Sequence, residues 1–325
     1  MDISKIIKKI IAGEKLSYSQ ALEFLMLGHE HFNEIIYAGG SIRQNFRGSV
    51  ISTCTIINAK SGKCPENCRF CAQSVHNGSN IEMWPLKEKF EVTEHAKADS
   101  PYGDYYGIVT SGKRLNDQEI EKVSDMMGYL KGSGVPQKIC GSFGILSYEE
   151  LLRLKEAGLE RFHHNLEVSK SFFPHICTTH TWEERRSTIE NAKRAGLSVC
   201  VGGIFGVGET SKERVELLFE IAECDPESVP LNFLVPIPGT PLQDLPLFPL
   251  FDAVKIIALA RMVLPSKDIK IGGGRVEVFK DNQSLPFLAG ASSMITGQLL
   301  TVKGVSPEDD SRLLEQLGLK RVKVL

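Results

Sequence analysis

The chain has no uninterrupted apolar run of the roughly 20 residues that a membrane-spanning helix requires, which excludes an integral helical membrane protein. It has no charge excess either. Its 38 basic residues face 40 acidic ones, a net charge of −2, so composition offers neither a cationic footprint for nucleic acid nor one for a membrane surface. The opening run MDISKIIKKIIAGEK is basic and amphipathic but lacks the apolar core and small-residue cleavage site of a secretory signal. No low-complexity linker or internal repeat divides the 325 residues. A dinucleotide loop is missing: Gly203-x-x-Gly206-x-Gly208 does not have the G-x-G-x-x-G spacing, and no acid closes a following strand. Without an export signal, the eight cysteines point to metal or catalytic use rather than disulfides, and the expectation is a cytoplasmic protein.

What the chain does have is the run KCPENCRFCAQ, with Cys64, Cys68 and Cys71 on one short loop in C-x3-C-x2-C spacing. Structural zinc takes four ligands, commonly from two C-x2-C hooks, and no second hook exists. Three thiolates can hold a 4Fe–4S cluster with one iron left open. The loop resembles that of the radical S-adenosylmethionine (SAM) enzymes, in which the open iron chelates the amine and carboxylate of SAM.

The first 45 or so residues read as helices, with a capping box at Ser17–Gln20. From residue 50, strand and helix signals alternate. Strands are predicted over 50–58, 105–110, 138–141, 161–166, 198–203, 231–236, 269–272 and 292–295. Helix starts are legible at Asn116-x-x-Glu119, Ser147-x-x-Glu150, Thr181-x-x-Glu184 and Thr210-x-x-Glu213. Eight alternating units predict an α/β fold, a (β/α)8 TIM-type barrel over 46–319, behind an N-terminal helical segment over 1–45 and before a tail over 320–325. A doubly wound open sheet is the competing architecture. In a barrel, chemistry belongs at the C-terminal strand ends, and the unusual residues fall there or on the strands themselves.

Cys140 in KICGSFG and Cys200 in SVCVGGIFG occupy strand-like segments. A free cysteine is often only a small buried hydrophobe, but two in one barrel, with Cys54 on the first strand, point to a second metal site. Arg275, beyond three glycines in IGGGRVEVF, reads from its chemistry as an anion clamp or salt-bridge partner more readily than as a metal ligand. Asn165 and Glu167, two apart on strand 4, could hold ribose hydroxyls or satisfy loop backbone. Arg185, at a capped helix start, could pair with a carboxylate or lie on a solvated face. His163 and His164 point to opposite sides of their strand, so they cannot both serve one site.

Over about residues 30–319 the chain resembles the biotin synthase family, on the runs CPENCRFCAQS, GIVTSGK, FHHNLEVS, ICTTHTWEER, VCVGGIFGVGET, ESVPLNFLVPIPGTPL, GGGRVEVF and FLAGASSMITGQLLT. The resemblance implies a sulfurtransferase of the radical SAM class that inserts sulfur into dethiobiotin. Reductive cleavage of SAM yields a 5′-deoxyadenosyl radical, and an auxiliary iron–sulfur cluster gives up the sulfur. Cys64, Cys68 and Cys71 would bind the SAM-cleaving cluster; Phe70, Asn165, Glu167, Arg185, Ile204 and Val235 would bind SAM; His163 and Asn232 would face dethiobiotin. The familiar auxiliary site, a 2Fe–2S cluster on three cysteines and an arginine, is matched at Cys140, Cys200 and Arg275. Its strand-2 cysteine is Gly107 here, while Cys54 stands on strand 1, as if one ligand had moved sideways by a strand and left an altered cluster, with four irons as one form. Cys177 and Cys224 are expected to be structural. The implied partners are a flavodoxin or ferredoxin, the iron–sulfur assembly machinery and a second copy of the chain. A radical SAM enzyme for another substrate, of the hydrogenase-cofactor maturase or amino-acid mutase kind, would keep the cysteine loop but lack Asn232 and the Cys140/Cys200/Arg275 set. A non-enzymatic iron–sulfur scaffold would bind a cluster without cleaving SAM.

Overall fold

The computed structural model describes residues 1–300 and 304–322. Three helices come first: α1 Ile3–Ile11, α2 Tyr18–Leu25 and α3 Phe32–Arg47. Strands β1 Val50–Lys60, β2 Tyr105–Thr110, β3 Lys138–Ser142 and β4 Arg161–His163 alternate with α4 Lys89–Asp99, α5 Asp117–Gly132 and α6 Tyr148–Glu156. After α7 Trp182–Arg194 come β5 Ser198–Cys200, β6 Gly203–Phe205, α8 Ser211–Glu223, β7 Ser228–Phe233, α9 Leu250–Val263 and β8 Asp268–Ile271. The chain continues through the short helices α10 Arg275–Phe279 and α11 Leu285–Leu288 to β9 Ser293–Ile295, α12 Pro307–Gln316 and β10 Lys320–Arg321.

The sheet closes. β9 pairs in parallel with β1, Ser52 opposite Ser293 and Cys54 opposite Ile295, which rules out the open doubly wound sheet. The result is an eight-stave parallel barrel. Stave five is split into β5 and β6 where Val201 and Gly202 leave the ladder, so the single strand predicted over 198–203 is corrected to two. A side chain at Gly202 would put its Cβ 1.8 Å from Pro230 O; the neighbouring stave lies too close for anything but glycine. The predicted fourth strand is also shorter, ending at His163. His164 N–H and Leu166 N–H nevertheless continue the bonding to Cys200 O and Gly202 O, each at 3.0 Å. The predicted tail is partly structured. Lys320 pairs with Val50 beneath the barrel, and 323–325 lie outside the described residues.

The helix starts form as their side chains dictate. Ser17, Asn116, Ser147, Thr181 and Thr210 each complete a capping box with the Glu or Gln three residues on. Outside the staves, α3 packs on α9, and Gly39 touches the 288–290 turn so closely that a Cβ there would meet Ala289 O at 1.8 Å. Among the described residues no helix is long and apolar enough to cross a membrane.

A fully buried arginine fastens the closing stave. Arg261 on α9 is 0% exposed. Its Nε donates to Gly290 O at 2.9 Å, its Nη1 to Pro265 O at 2.9 Å and Lys267 O at 2.7 Å, and its Nη2 to Ser292 Oγ at 2.8 Å. Replacing it orphans several buried acceptors, each worth about 1–3 kcal/mol. Arg261→Met is expected to lower unfolding free energy by about 3 kcal/mol or more, read from the urea midpoint at unchanged slope. A shift below about 1 kcal/mol would show that the acceptors find water instead.

Candidate active site

A cavity of about 410 Å³ runs down the barrel axis from the β1–α4 loop. Of the fifteen residues expected to bind a cluster, SAM or substrate, fourteen line it; Arg275 does not. Cys64, Cys68 and Cys71 stand at its mouth, and Cys54, Cys140 and Cys200 lie deeper in its wall.

The mouth is built by a loop that follows β1 and bonds back to itself. Cys64 N–H donates to Gln73 O at 3.0 Å, Val75 N–H to Cys64 O at 2.9 Å, and Asn77 Nδ2 to Cys71 O at 2.8 Å. Burial raises the Cys64 thiol above its ordinary range and pushes Cys71 up to about 11. A hydrogen bond with Cys177, then burial, pushes Cys68 up as well. These thiols hold their protons until a metal displaces them.

Across the mouth, Glu167 has φ +70°, a left-handed conformation rare for a residue with a side chain and typical of functional sites. Its carbonyl accepts from Ile204 N–H at 2.7 Å, which ties the turn to β6. Gly202 N–H donates to Asn165 Oδ1 at 3.1 Å. Arg185 Nη1 donates to Asn165 O at 2.8 Å and pairs with Glu167 Oε1 at 3.4 Å, and its Nε donates to His180 Nε2 at 3.1 Å. Arg185 is therefore no solvated helix residue: it is fixed against the wall with Nη2 uncommitted among the described residues. Deeper, Asn232 bridges two staves. Its Nδ2 donates to Gly203 O at 3.1 Å, and its Oδ1 accepts from Gly273 N–H at 2.8 Å.

The lower triad differs from expectation in two ways. Cys54 pairs in register with Tyr105, whereas Gly107 pairs with Ile56 and with Cys140. Cys54 thus sits one strand across from Gly107 and two residues deeper, about 6–7 Å towards the N-terminal end of the barrel; a purely sideways exchange is corrected. A Cβ at Gly107 would meet Ile56 Cγ2 at 2.9 Å, so Ile56 covers the level at which a ligand is missing. The second correction concerns Arg275. It begins α10 outside the cavity, where its Nη2 pairs with the buried Asp310 at 2.8 Å and its guanidinium lies 5.6 Å from the Phe287 ring. It is a salt-bridge partner that clamps α12. The basic group that meets the Cys54 and Cys200 thiols is Lys270, which sequence reasoning missed. Its Nζ lies 2.9 Å from Cys54 Sγ and 3.9 Å from Cys200 Sγ. The signal was available as a lone lysine in the middle of the apolar strand DIKI.

Lys270 is buried, and among the described residues it has no carboxylate partner. Burial disfavours its charge, but the Cys200 and Cys54 sulfurs hold its pKa above the ordinary lysine value. Burial likewise opposes the Cys200 thiolate, yet Lys270, His163 and Arg161 bring that thiol down to about 6; His163 Nδ1 lies 3.4 Å from it. Cys140, with burial and two neighbouring sulfurs against it, is pushed up to about 12. A buried cation whose partners are sulfurs calls for an anionic group.

Neither triad is shaped for a single ion. Among the described residues, Cys68, Cys177 and His180 are the metal-binding trio whose atoms all lie within 4.8 Å of one another, and neither Cys64/Cys68/Cys71 nor Cys54/Cys140/Cys200 closes to that span. An iron–sulfur cluster, which takes its thiolates on separate irons, does not need ligands gathered so closely.

Known proteins agree with the geometry. The model of the radical SAM superfamily matches residues 59–221, and that of the biotin and thiamin synthesis associated domain matches 230–320. The chain is 42% identical over 313 residues to the biotin synthase of Geobacter sulfurreducens, covering 96% of this chain and 95% of that one. It is 43% identical over 311 residues to that of Heliobacterium modesticaldum, covering 95% of each. The chain belongs to the biotin synthase family. A crystal structure of methylornithine synthase superposes with a TM-score of 0.86 at 20% identity over 98% of each chain, which shows the shared barrel. Membership of the biotin synthase family makes this a radical SAM enzyme and implies a 4Fe–4S cluster and SAM.

The Lys270–Cys200 pair carries a titration of known sign. A cation favours the charged thiolate, so its removal raises the thiol pKa. In cluster-free protein, one cysteine should titrate near pH 6 by thiolate ultraviolet absorbance. In Lys270→Met that step should move up by about one unit or more. An unmoved step would show that Lys270 does not set the charge of the lower triad.

Proposed function

We propose that the chain converts dethiobiotin to biotin, with Cys64, Cys68 and Cys71 holding a 4Fe–4S cluster and Cys54, Cys140 and Cys200 holding a sulfur-donating auxiliary cluster. The observation that carries this reading is the placement of two three-cysteine sets on one cavity, the lower one meeting the buried Lys270 at Cys54 and Cys200. When bound, the two groups supply a one-electron cleavage of SAM and a sulfide for carbon–sulfur bond formation.

The chain's own residues bind, orient and exclude. Arg185, held by the Asn165 carbonyl and Glu167, offers its free Nη2 to the SAM carboxylate. Asn165 and Glu167, fixed by Gly202 N–H and by Arg185, present an amide and a carboxylate to the ribose hydroxyls. Phe70, Ile204 and Val235 line the cavity as apolar wall against SAM, which keeps water from a reactive radical. Asn232 and His163 would face the ureido ring of dethiobiotin, and the 3.4 Å between His163 Nδ1 and Cys200 Sγ supports a substrate seat next to the lower triad. Cys54, Cys140 and Cys200 would hold the auxiliary cluster with Lys270 to offset its negative charge; Arg275, turned away, and Gly107 offer no ligand, which supports a form other than the familiar 2Fe–2S. A flavodoxin or ferredoxin donor, reloading by iron–sulfur assembly proteins, a homodimer and a cytoplasmic location follow from the family resemblance alone.

Anaerobically reconstituted protein, given SAM, dethiobiotin and a strong reductant, should yield both 5′-deoxyadenosine and biotin by mass spectrometry. Deoxyadenosine without biotin would overturn the substrate or the sulfur source, and neither product from cluster-loaded protein would overturn the reading entirely. Arg185→Met should weaken SAM binding to the loaded protein about tenfold, some 1.4 kcal/mol, with cluster absorbance unchanged. Unaltered binding would remove Arg185 from the SAM site.

A further inference from the structure

Cys177 is a thiol that neither triad uses. It is buried, and its sulfur, Cys68 Sγ and a ring nitrogen of His180 all lie within 4.8 Å of one another. The backbone brings the two cysteines together from both sides. Arg69 N–H donates to Ile176 O at 3.0 Å, Asn67 N–H to Thr179 Oγ1 at 3.1 Å, and Thr178 N–H to Asn67 Oδ1 at 2.9 Å. Residue 68 is thereby held between two residues bonded to the two flanks of residue 177. The Cys177 sulfur is itself fixed, donating to Asn67 Oδ1 at 3.3 Å with Thr179 Oγ1 at 3.4 Å and His180 Nδ1 at 3.2 Å.

Two chemistries suit such a pair: a single divalent ion shared with His180, or a disulfide. The histidine decides between them. Its Nε2 accepts from Arg185 Nε at 3.1 Å, so the neutral ring carries its proton on Nδ1, the nitrogen that faces Cys177 and donates to Glu66. A protonated Nδ1 has no lone pair for a metal. An ion would have to break the Arg185 bond first. A disulfide breaks no such bond; it needs the two sulfurs, already within 4.8 Å of each other, to close to about 2.05 Å.

We propose that Cys177 is the resolving thiol for Cys68: when the loop is without its cluster, the two form a reversible disulfide. Cys68, which lines the cavity, gives up its proton as it attacks a low-molecular-weight disulfide, forms a mixed disulfide and releases one small thiolate, which takes that proton. The Cys177 thiolate then attacks the Cys68 sulfur, the Cys68–Cys177 bond forms, and the second small thiolate leaves. Two protein thiols lose two electrons, the small disulfide gains them, and the two protons finish on the two small thiols. Excess thiol reverses the sequence. One cluster ligand is thus parked short of the irreversible sulfinic and sulfonic acids, the loop stays bonded to 176–179, and cluster loading waits on reduction. The meaning of the lock rests on the proposed role of Cys68 as a ligand; the bond itself does not.

The test uses cluster-free full-length chain in buffers of reduced and oxidised glutathione, with thiols trapped by iodoacetamide and non-reduced peptides read by mass spectrometry. The expected result is a dominant peptide pair joining Cys68 to Cys177, with loss of alkylation at both and full alkylation of Cys64 and Cys71. In Cys177→Ser, and in Cys177→Ala as a check on packing, Cys68 should carry glutathione instead. Cys68 joined mainly to Cys64 or Cys71, or Cys177 alkylated throughout, would overturn the proposal. So would stoichiometric zinc bound by the reduced protein and lost in Cys177→Ser, which would make the trio a metal site. No product is counted, so failure here is distinct from failure of the biotin-forming reading.

Discussion

A buried ammonium surrounded by sulfur is the constraint on which the site depends. Lys270 stands in the barrel with Cys54 and Cys200 as its polar partners, and taking such a charge out of water without an opposite charge costs several kcal/mol. The pair it forms with Cys200 settles that cost in the cluster-free protein. It also presets the lower triad for an anionic guest. Arg161 adds a second cation nearby, held over the Tyr105 ring at 3.9 Å. The lower triad is therefore an electropositive thiol pocket, whereas the thiols of the loop above keep their protons until metal arrives.

Barrel closure turns these local features into one site. Lys270 and Cys54 belong to different ends of the sequence and meet because β9, which pairs with both β1 and β8, completes the ring. The split of stave five opens the wall for Glu167 and Asn165 to bond to Gly202 and Ile204. Arg185 reaches the same point from the start of α7. The residues proposed for SAM and for the sulfur donor then share one cavity of about 410 Å³.

Much of this was legible in the sequence because it is locally encoded. Capping boxes need only residues three apart, and all five form. The cysteine loop is one short segment, and strand alternation places Cys140 and Cys200 on the staves. What escaped was set by contacts distant in sequence. The break at Val201–Gly202 depends on how near Pro230 lies. The depth of Cys54 depends on the register between β1 and β2, which a strand pattern does not specify. Arg275 is instructive, since its own chemistry read as a salt-bridge partner while family likeness made it a ligand; the buried Asp310 on α12 supports the chemical reading. Cys177 looked structural because nothing in ICTTH announces Cys68, and only the bonding of 67–69 to 176–179 brings them together.

The proposed function requires two clusters in the barrel, with Cys54 a ligand of the lower one. Iron and sulfide counts with Mössbauer spectra on reconstituted wild type and Cys54→Ala test it most directly. Two distinguishable iron sites are expected in the wild type, and in the variant a loss or change of the auxiliary signal while the SAM-cleaving 4Fe–4S signal is retained. An auxiliary spectrum and iron count unchanged by Cys54→Ala would contradict it.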